Sequence, residues 1–174
     1  MKNIFFLLLA LTLFACNDDL GELTDITYQF SVEKRFCDKD DLPVRYVLRN
    51  DGLYRFTSYD NVTYWCGTCL MSLPQDEQDR VMEENFQNSH VKVSSNKKKT
   101  ATQDVYEALP EFLTDDSGAT YGCNDGGQEC RYQITLREDE MYQNWTICTE
   151  NEDLLTEEQL AWKQELDALF EVLD

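Results

Sequence analysis

Six cysteines, Cys37, Cys66, Cys69, Cys123, Cys130 and Cys148, constrain this chain more than any other feature. An even set in an oxidising compartment reads as a disulfide framework, and each pair closes a loop and removes conformations from the unfolded chain. A seventh, Cys16, stands apart where the apolar run from Ile4 to Phe14 stops. That run, about eleven residues, falls short of the roughly 20 needed to span a bilayer as a helix. It has the length of a signal-peptide hydrophobic region, with Lys2 before it and polar Asn17-Asp18-Asp19 after it. The first residues therefore read as a targeting segment rather than as part of the fold.

Leu13-Phe14-Ala15-Cys16 resembles the lipobox of bacterial lipoproteins. The resemblance implies cleavage between Ala15 and Cys16, a diacylated cysteine such as palmitate chains would modify, and acylation of the new amino terminus. On that reading residues 1–15 are the signal peptide, 16–24 a lipidated linker and 25–174 a single domain held on a membrane through its anchor. An ordinary secretory signal cut at another small residue is the alternative. Asn17-Asp18-Asp19 also looks like the acidic tags that send some Gram-negative lipoproteins to the outer surface. The expected location is the cell envelope, on the outer membrane, facing the periplasm or the exterior. Assigning Cys16 to lipid leaves no odd thiol among the other six.

Removal of the signal leaves 159 residues (174 minus 15), enough to bury a proper core. A hydrophobic content of 42%, with nine tyrosines and nine phenylalanines, argues against disorder. The formal net charge is −19, and loss of Lys2 takes it to −20. Such a domain repels nucleic acid and anionic headgroups, so neither is expected as a partner; an envelope or extracellular protein is. Zinc is disfavoured, because His90 is the only histidine and Cys123 and Cys130 lack a zinc-finger spacing. No metal or other cofactor is expected.

Along the chain, Ile26 to Val32 alternates apolar and polar residues as a strand with one buried face does. Val44 to Tyr59 reads as a hairpin with a three-residue loop, Asn50-Asp51-Gly52, which places Val44, Tyr46 and Leu48 beside Tyr54 and Phe56. Ser72 and Gln75 have capping-box spacing, and a helix is expected to about Asn88 with Val81, Met82 and Phe86 inward. Ser94 to Thr100, with its three lysines, reads as a polar loop, followed by a short helix over Val105 to Leu109. Asp115 to Gln128 is rich in turn formers, but the acid order of an EF-hand calcium loop is absent. A second hairpin, Cys130 to Cys148, matches its apolar faces with a four-residue loop, Arg137 to Glu140. That register sets Cys130 and Cys148 on opposite faces, so Cys123 with Cys130 is the expected local bond. Thr156 and Gln159 then form a capping box ahead of Trp162, Leu166, Leu169, Phe170 and Leu173, spaced as one helical stripe.

The expectation is an α+β domain, braced by disulfides: about five mostly antiparallel strands, in two hairpins and an amino-terminal strand, packed by the terminal helix. Trp65-Cys66-Gly67-Thr68-Cys69 resembles the redox centre of thioredoxin-like oxidoreductases, which implies catalysis by Cys66 and Cys69. It departs from that family in the polar stretch Ser58 to Thr63 before the motif and in the later helix start at Leu73-Pro74. Pro43, Pro74 and Pro110 lack the setting expected of the family's cis-proline, which faces the cysteines. His90 lies in a polar stretch without a hydrolase motif and reads as a surface residue. The favoured expectation is a non-enzymatic binding module, with a thiol oxidoreductase as the second.

Overall fold

The computed structural model describes residues 28–37, 43–60, 62, 70–115, 117–124, 129–138 and 141–174. Ala15, Cys16, Cys66 and Cys69 lie outside them, as does the linker. In chain order the elements are β1 (Tyr28–Arg35), β2 (Val44–Arg49), β3 (Gly52–Phe56), α1 (Gln75–Ser89), β4 (His90–Lys92) and α2 (Asn96–Glu107). They continue with α3 (Glu111–Asp115), β5 (Thr120–Tyr121), β6 (Arg131–Glu138), β7 (Met141–Cys148), a single tight turn of helix at Glu152–Leu154, and α4 (Glu157–Leu173). The architecture is α+β.

The strands form one seven-stranded sheet in the order β4-β3-β2-β1-β6-β7-β5. Every pairing is antiparallel except β5 with β7. About five strands is thus corrected to seven. The two extra strands have three and two residues, too few to carry a period-two pattern. Both sit at the sheet edges, where short strands expose little unpaired backbone.

β1 is central because its alternation suits two neighbours at once. Phe30 and Val32 point to one face and are fully enclosed, beside Leu48 on β2 and Ile134 on β6. The strand runs on past the alternating stretch through the charged Glu33, Lys34 and Arg35. It does so because Glu33 receives hydrogen bonds from Arg45 across the strands and from Arg35 along its own.

The apolar face is covered by α4 and α2. Trp162, Leu166, Leu169, Phe170 and Leu173 all join the core, so the helical stripe meets the sheet as its spacing demands. The Thr156–Gln159 capping box is present in full. Two tyrosines fasten the layers: the Tyr46 hydroxyl donates to the Leu173 carbonyl at 2.6 Å, and that of Tyr132 to Asp167 at 2.6 Å. The lysine run is not a loop. It opens α2, whose amino end is capped by Ser95, and Lys98 reaches the Leu173 carbonyl, adding positive charge where the α4 dipole is negative. The helix expected at Val105 to Leu109 is the end of this longer one. α1 begins at Gln75 behind Pro74 with no side-chain cap, so the expected Ser72 box does not form.

Both hairpin registers differ from expectation. In the first, Arg49 pairs with Gly52 and Leu48 with Leu53, so the loop is Asn50-Asp51, and Leu53 rather than Tyr54 joins the main apolar cluster, while Tyr54 is buried on the other face. A one-residue change swaps faces, and Tyr54 is accommodated because α1 covers the other face too. In the second, Glu138 pairs with Met141 and Ile134 with Trp145, two residues from the expected register. A slip of two preserves every facing, so the apolar pattern cannot separate the two.

The disulfides follow from strand order. Cys37 is bonded to Cys130, and Cys123 to Cys148. The expected Cys123–Cys130 bond is therefore corrected. Cys37 and Cys130 flank the terminal β1–β6 pair Arg35 and Arg131, while Cys123 and Cys148 lie at the same ends of the adjacent parallel strands β5 and β7. Phe36 turns the chain into the first bond with a left-handed φ of 59°, a conformation that is costly for a bulky residue, and its ring lies beneath Arg131.

The two bonds close loops of unequal length, with sequence separations of 93 and 25. Loop entropy assigns them about 4.5 and about 3.5 kcal/mol. Replacing Cys37 and Cys130 together by serine should therefore lower denaturant-measured stability by about 1 kcal/mol more than replacing Cys123 and Cys148.

Candidate functional site

The second face of the sheet is polar, and α1 covers only its β2–β3–β4 side. Cross-strand registers set its residues in rows. Arg137, Gln29 and Arg49 form one row across β6, β1 and β2, and Gln133, Glu33 and Arg45 form another. Phe56 pairs with His90 between β3 and β4. Between this face and α1 lies a cleft of about 580 Å³. Arg45, Arg49, Arg137 and Phe56 line it from the sheet, Met82, Glu83 and Phe86 from α1, and Tyr59 from the segment after β3. Its size is in the range of small-molecule sites.

Arg49 is the pivot. Only 1% exposed, it donates to Glu83 from both terminal nitrogens, at 3.3 and 2.9 Å. Its guanidinium carbon lies 4.3 Å from the Phe86 ring centre and 5.8 Å from that of Tyr54. A buried cation is tolerable only when so matched by a carboxylate and by ring faces. Asp51 stands 3.8 Å from Nε and accepts a hydrogen bond from the Tyr54 hydroxyl, and burial together with that bond pushes the phenol up to about 12. α1 thus docks through charge as much as through apolar contact, since Val81 is its only buried apolar residue. Met82 and Phe86, expected inward, are half-buried and face the cleft.

The neighbouring row is also an ion cluster. Glu33, 3% exposed, accepts from Arg45 Nε and Nη2 at 2.8 and 2.6 Å and from Arg35 on its other oxygen. Arg45 also lies over the Phe56 ring at 5.7 Å. Arg137 differs from both. It is exposed, and its guanidinium has no hydrogen bond or ion pair among the described residues.

His90 is not the surface residue expected from its polar surroundings. It is half-buried in an edge strand and stacks on Phe86 at 4.2 Å. Its Nδ1 is 3.1 Å from the Phe86 carbonyl and 2.9 Å from Ser89 Oγ, whose proton goes to the Asn85 carbonyl at 2.6 Å. Both neighbours accept, which assigns the proton to Nδ1 and leaves Nε2 a bare acceptor, buried and without a partner among the described residues. Burial lowers the His90 pKa to about 4, Arg45 and Arg49 add repulsion, and the Phe86 carbonyl opposes them. It is neutral near pH 7 and too weak a base to be a proton acceptor suited to that pH.

The cysteines form no such site among the described residues. Cys123, Glu129 and Cys148 cluster within 4.8 Å, but the two sulfurs are bonded to each other and are not thiolate ligands. Glu129 instead accepts from the Asn124 side chain and backbone and from Asn151, which lowers its pKa and ties the loop to the segment after β7. Residues 116 and 125–128 of the turn-rich stretch weighed for calcium lie outside the described residues, as do Cys66 and Cys69. No described helix is long and apolar enough to cross a membrane.

None of the cleft arginines was singled out from the sequence. The available signal was two arginines at strand positions 45 and 49, on the same face, in a chain with 34 acids and 15 basic residues. Comparison with protein-family models, curated proteins and solved structures finds no match, so the site is read from its own residues.

Two outcomes follow from these groups. Glu83→Gln, which leaves the enclosed Arg49 charge only the more distant Asp51 among the described carboxylates, should cost about 3 kcal/mol in denaturant unfolding, whereas Arg49→Met, which frees a carboxylate able to reach water, should cost about 1 kcal/mol. The folded-state pKa of His90 lies below its ordinary 6.5, so its contribution to stability is complete above that pH and is lost as pH falls towards about 4. His90→Phe should therefore flatten the stability profile across that window relative to the unaltered protein, which unfolding curves at a series of pH values would measure.

Proposed function

We propose that this protein is a lipid-anchored binding domain of the cell envelope, held by Cys16 on the outer membrane and facing the periplasm or the exterior. The observation that carries the binding half of this reading is the state of the cleft. Its acidic and imidazole side chains are engaged in holding the structure: Glu83 accepts from Arg49, Asp79 accepts from Gln75, and the His90 ring is held at the Phe86 carbonyl. This leaves Arg137, Gln29 and the rings of Phe56 and Tyr59 for a ligand, and such donors and rings recognise a ligand without transforming it. The anchor half is supported by the apolar run that ends at Cys16 and by two disulfides, bonds that persist outside the cytoplasm. Three acyl chains, at about 0.8 kcal/mol for each buried CH₂, would make the attachment essentially permanent.

A second reading keeps one specific observation in its favour. The two bonds leave Cys66 and Cys69 over, and these are the cysteines of the thioredoxin-like motif. Insulin reduction by the purified protein, abolished by Cys66→Ser, would establish a thiol oxidoreductase instead.

Mass spectrometry of the amino-terminal peptide from the native protein tests the anchor directly. The expected result is a chain beginning at Cys16 with acyl mass on it, and retention of the full signal in Cys16→Ser. An unacylated amino terminus further along would sink the proposal.

A further inference from the structure

We propose that the cleft between α1 and the polar sheet face binds a carboxylate carried on a flat apolar body, with Arg137 meeting the carboxylate. This deepens the reading of the domain as a binding module and rests on it. Two of the three cleft arginines have fixed partners, Arg49 with Glu83 and Arg45 with Glu33. Arg137 alone has none among the described residues, although acids outnumber basic residues 34 to 15 in the chain. A guanidinium left open at the mouth of a cleft offers a planar fork of donors, matched by the two oxygens of a carboxylate. Gln29, between Arg137 and Arg49 in the same row, adds a neutral amide one strand away from either cation.

The remaining walls specify the rest of the ligand. Phe56 and Tyr59 supply ring surface, 4.6 Å apart and with Tyr59 half exposed, whereas the faces of Phe86 are taken by Arg49 and His90. An aromatic or similarly flat group stacks on such a surface. Charge on the opposite wall limits how negative the ligand can be. Asp79 and Glu83 of α1 line the same cleft, so a polyanion would meet repulsion that a single carboxylate, placed at the Arg137 end, avoids. The overall negative field of the protein acts in the same direction, so attraction is confined to the arginine row.

The test uses the full, exported protein with its disulfides intact and saturation-transfer NMR, which detects weak binding from the ligand side. Benzoate is the probe, benzamide its neutral counterpart of the same shape, and inorganic phosphate the competitor. The expected result is that benzoate binds at least fivefold tighter than benzamide. Arg137→Gln should weaken benzoate about tenfold without changing benzamide, in a variant whose melting temperature is unaltered because the side chain is exposed and has no partner among the described residues. Phosphate should fail to displace benzoate. Equal binding of benzoate and benzamide would overturn the carboxylate assignment while leaving a binding cleft. Displacement by phosphate at matching concentration would overturn it in favour of a general anion site. Absence of any transfer to either probe would overturn the cleft as a small-ligand site, an outcome independent of the lipid found or not found on Cys16.

Discussion

The alternation of β1 governs the structure, because both of its faces are buried for opposite reasons. Phe30 and Val32 enter a core that α4 and α2 close, and the gain is the removal of apolar surface from water. Ser31 and Glu33 face the other way, and Glu33 is enclosed as a charge. That is sustainable only because β2 and the end of β1 bring Arg45 and Arg35 to its two oxygens. A central strand with one greasy and one ionic face makes the sheet a partition between two different interiors.

The consequence for α1 is a shallow, charged seat. An acidic helix, with Asp76, Glu77, Asp79, Glu83 and Glu84, lies over a sheet face that carries arginines. Glu83 meets Arg49, whose charge also rests on the rings of Phe86 and Tyr54. Packing of this kind leaves space where apolar interdigitation would leave none, and the cleft is that space. On the opposite face, the stripe of α4 fits the sheet closely, and the polar contacts there are few and specific, such as Tyr46 to the last turn of the helix.

Cysteine pairing shows how a sheet order decides covalent structure. Cys123 and Cys130 are neighbours in sequence, yet Cys130 opens the strand beside β1, and Cys123 follows the strand beside β7. Each bond therefore joins the ends of adjacent strands rather than the ends of a loop. With β1–β6 and β5–β7 stapled at the same side, the sheet is braced across four of its seven strands.

Much of the fold could be read from local pattern. The terminal helix was legible because capping box and apolar stripe agree, and β1 and the two hairpins were legible because period-two alternation marks a half-buried strand. What the pattern left open was pairing: a slip of two residues keeps all facings in the second hairpin, and in the first both faces are buried, so Tyr54 fits either. The cleft was illegible for the same reason. Arg45, Arg49, Arg137, Phe56 and His90 come from four strands, and an arginine in a strand looks solvent-exposed until a helix is laid over it. The chain by itself determined which segments are amphipathic and where the first apolar run ends, since these depend on residues close in sequence. Only tertiary structure decided which cysteines meet, which charges are enclosed and which arginine is left open, because each depends on what distant strands bring alongside.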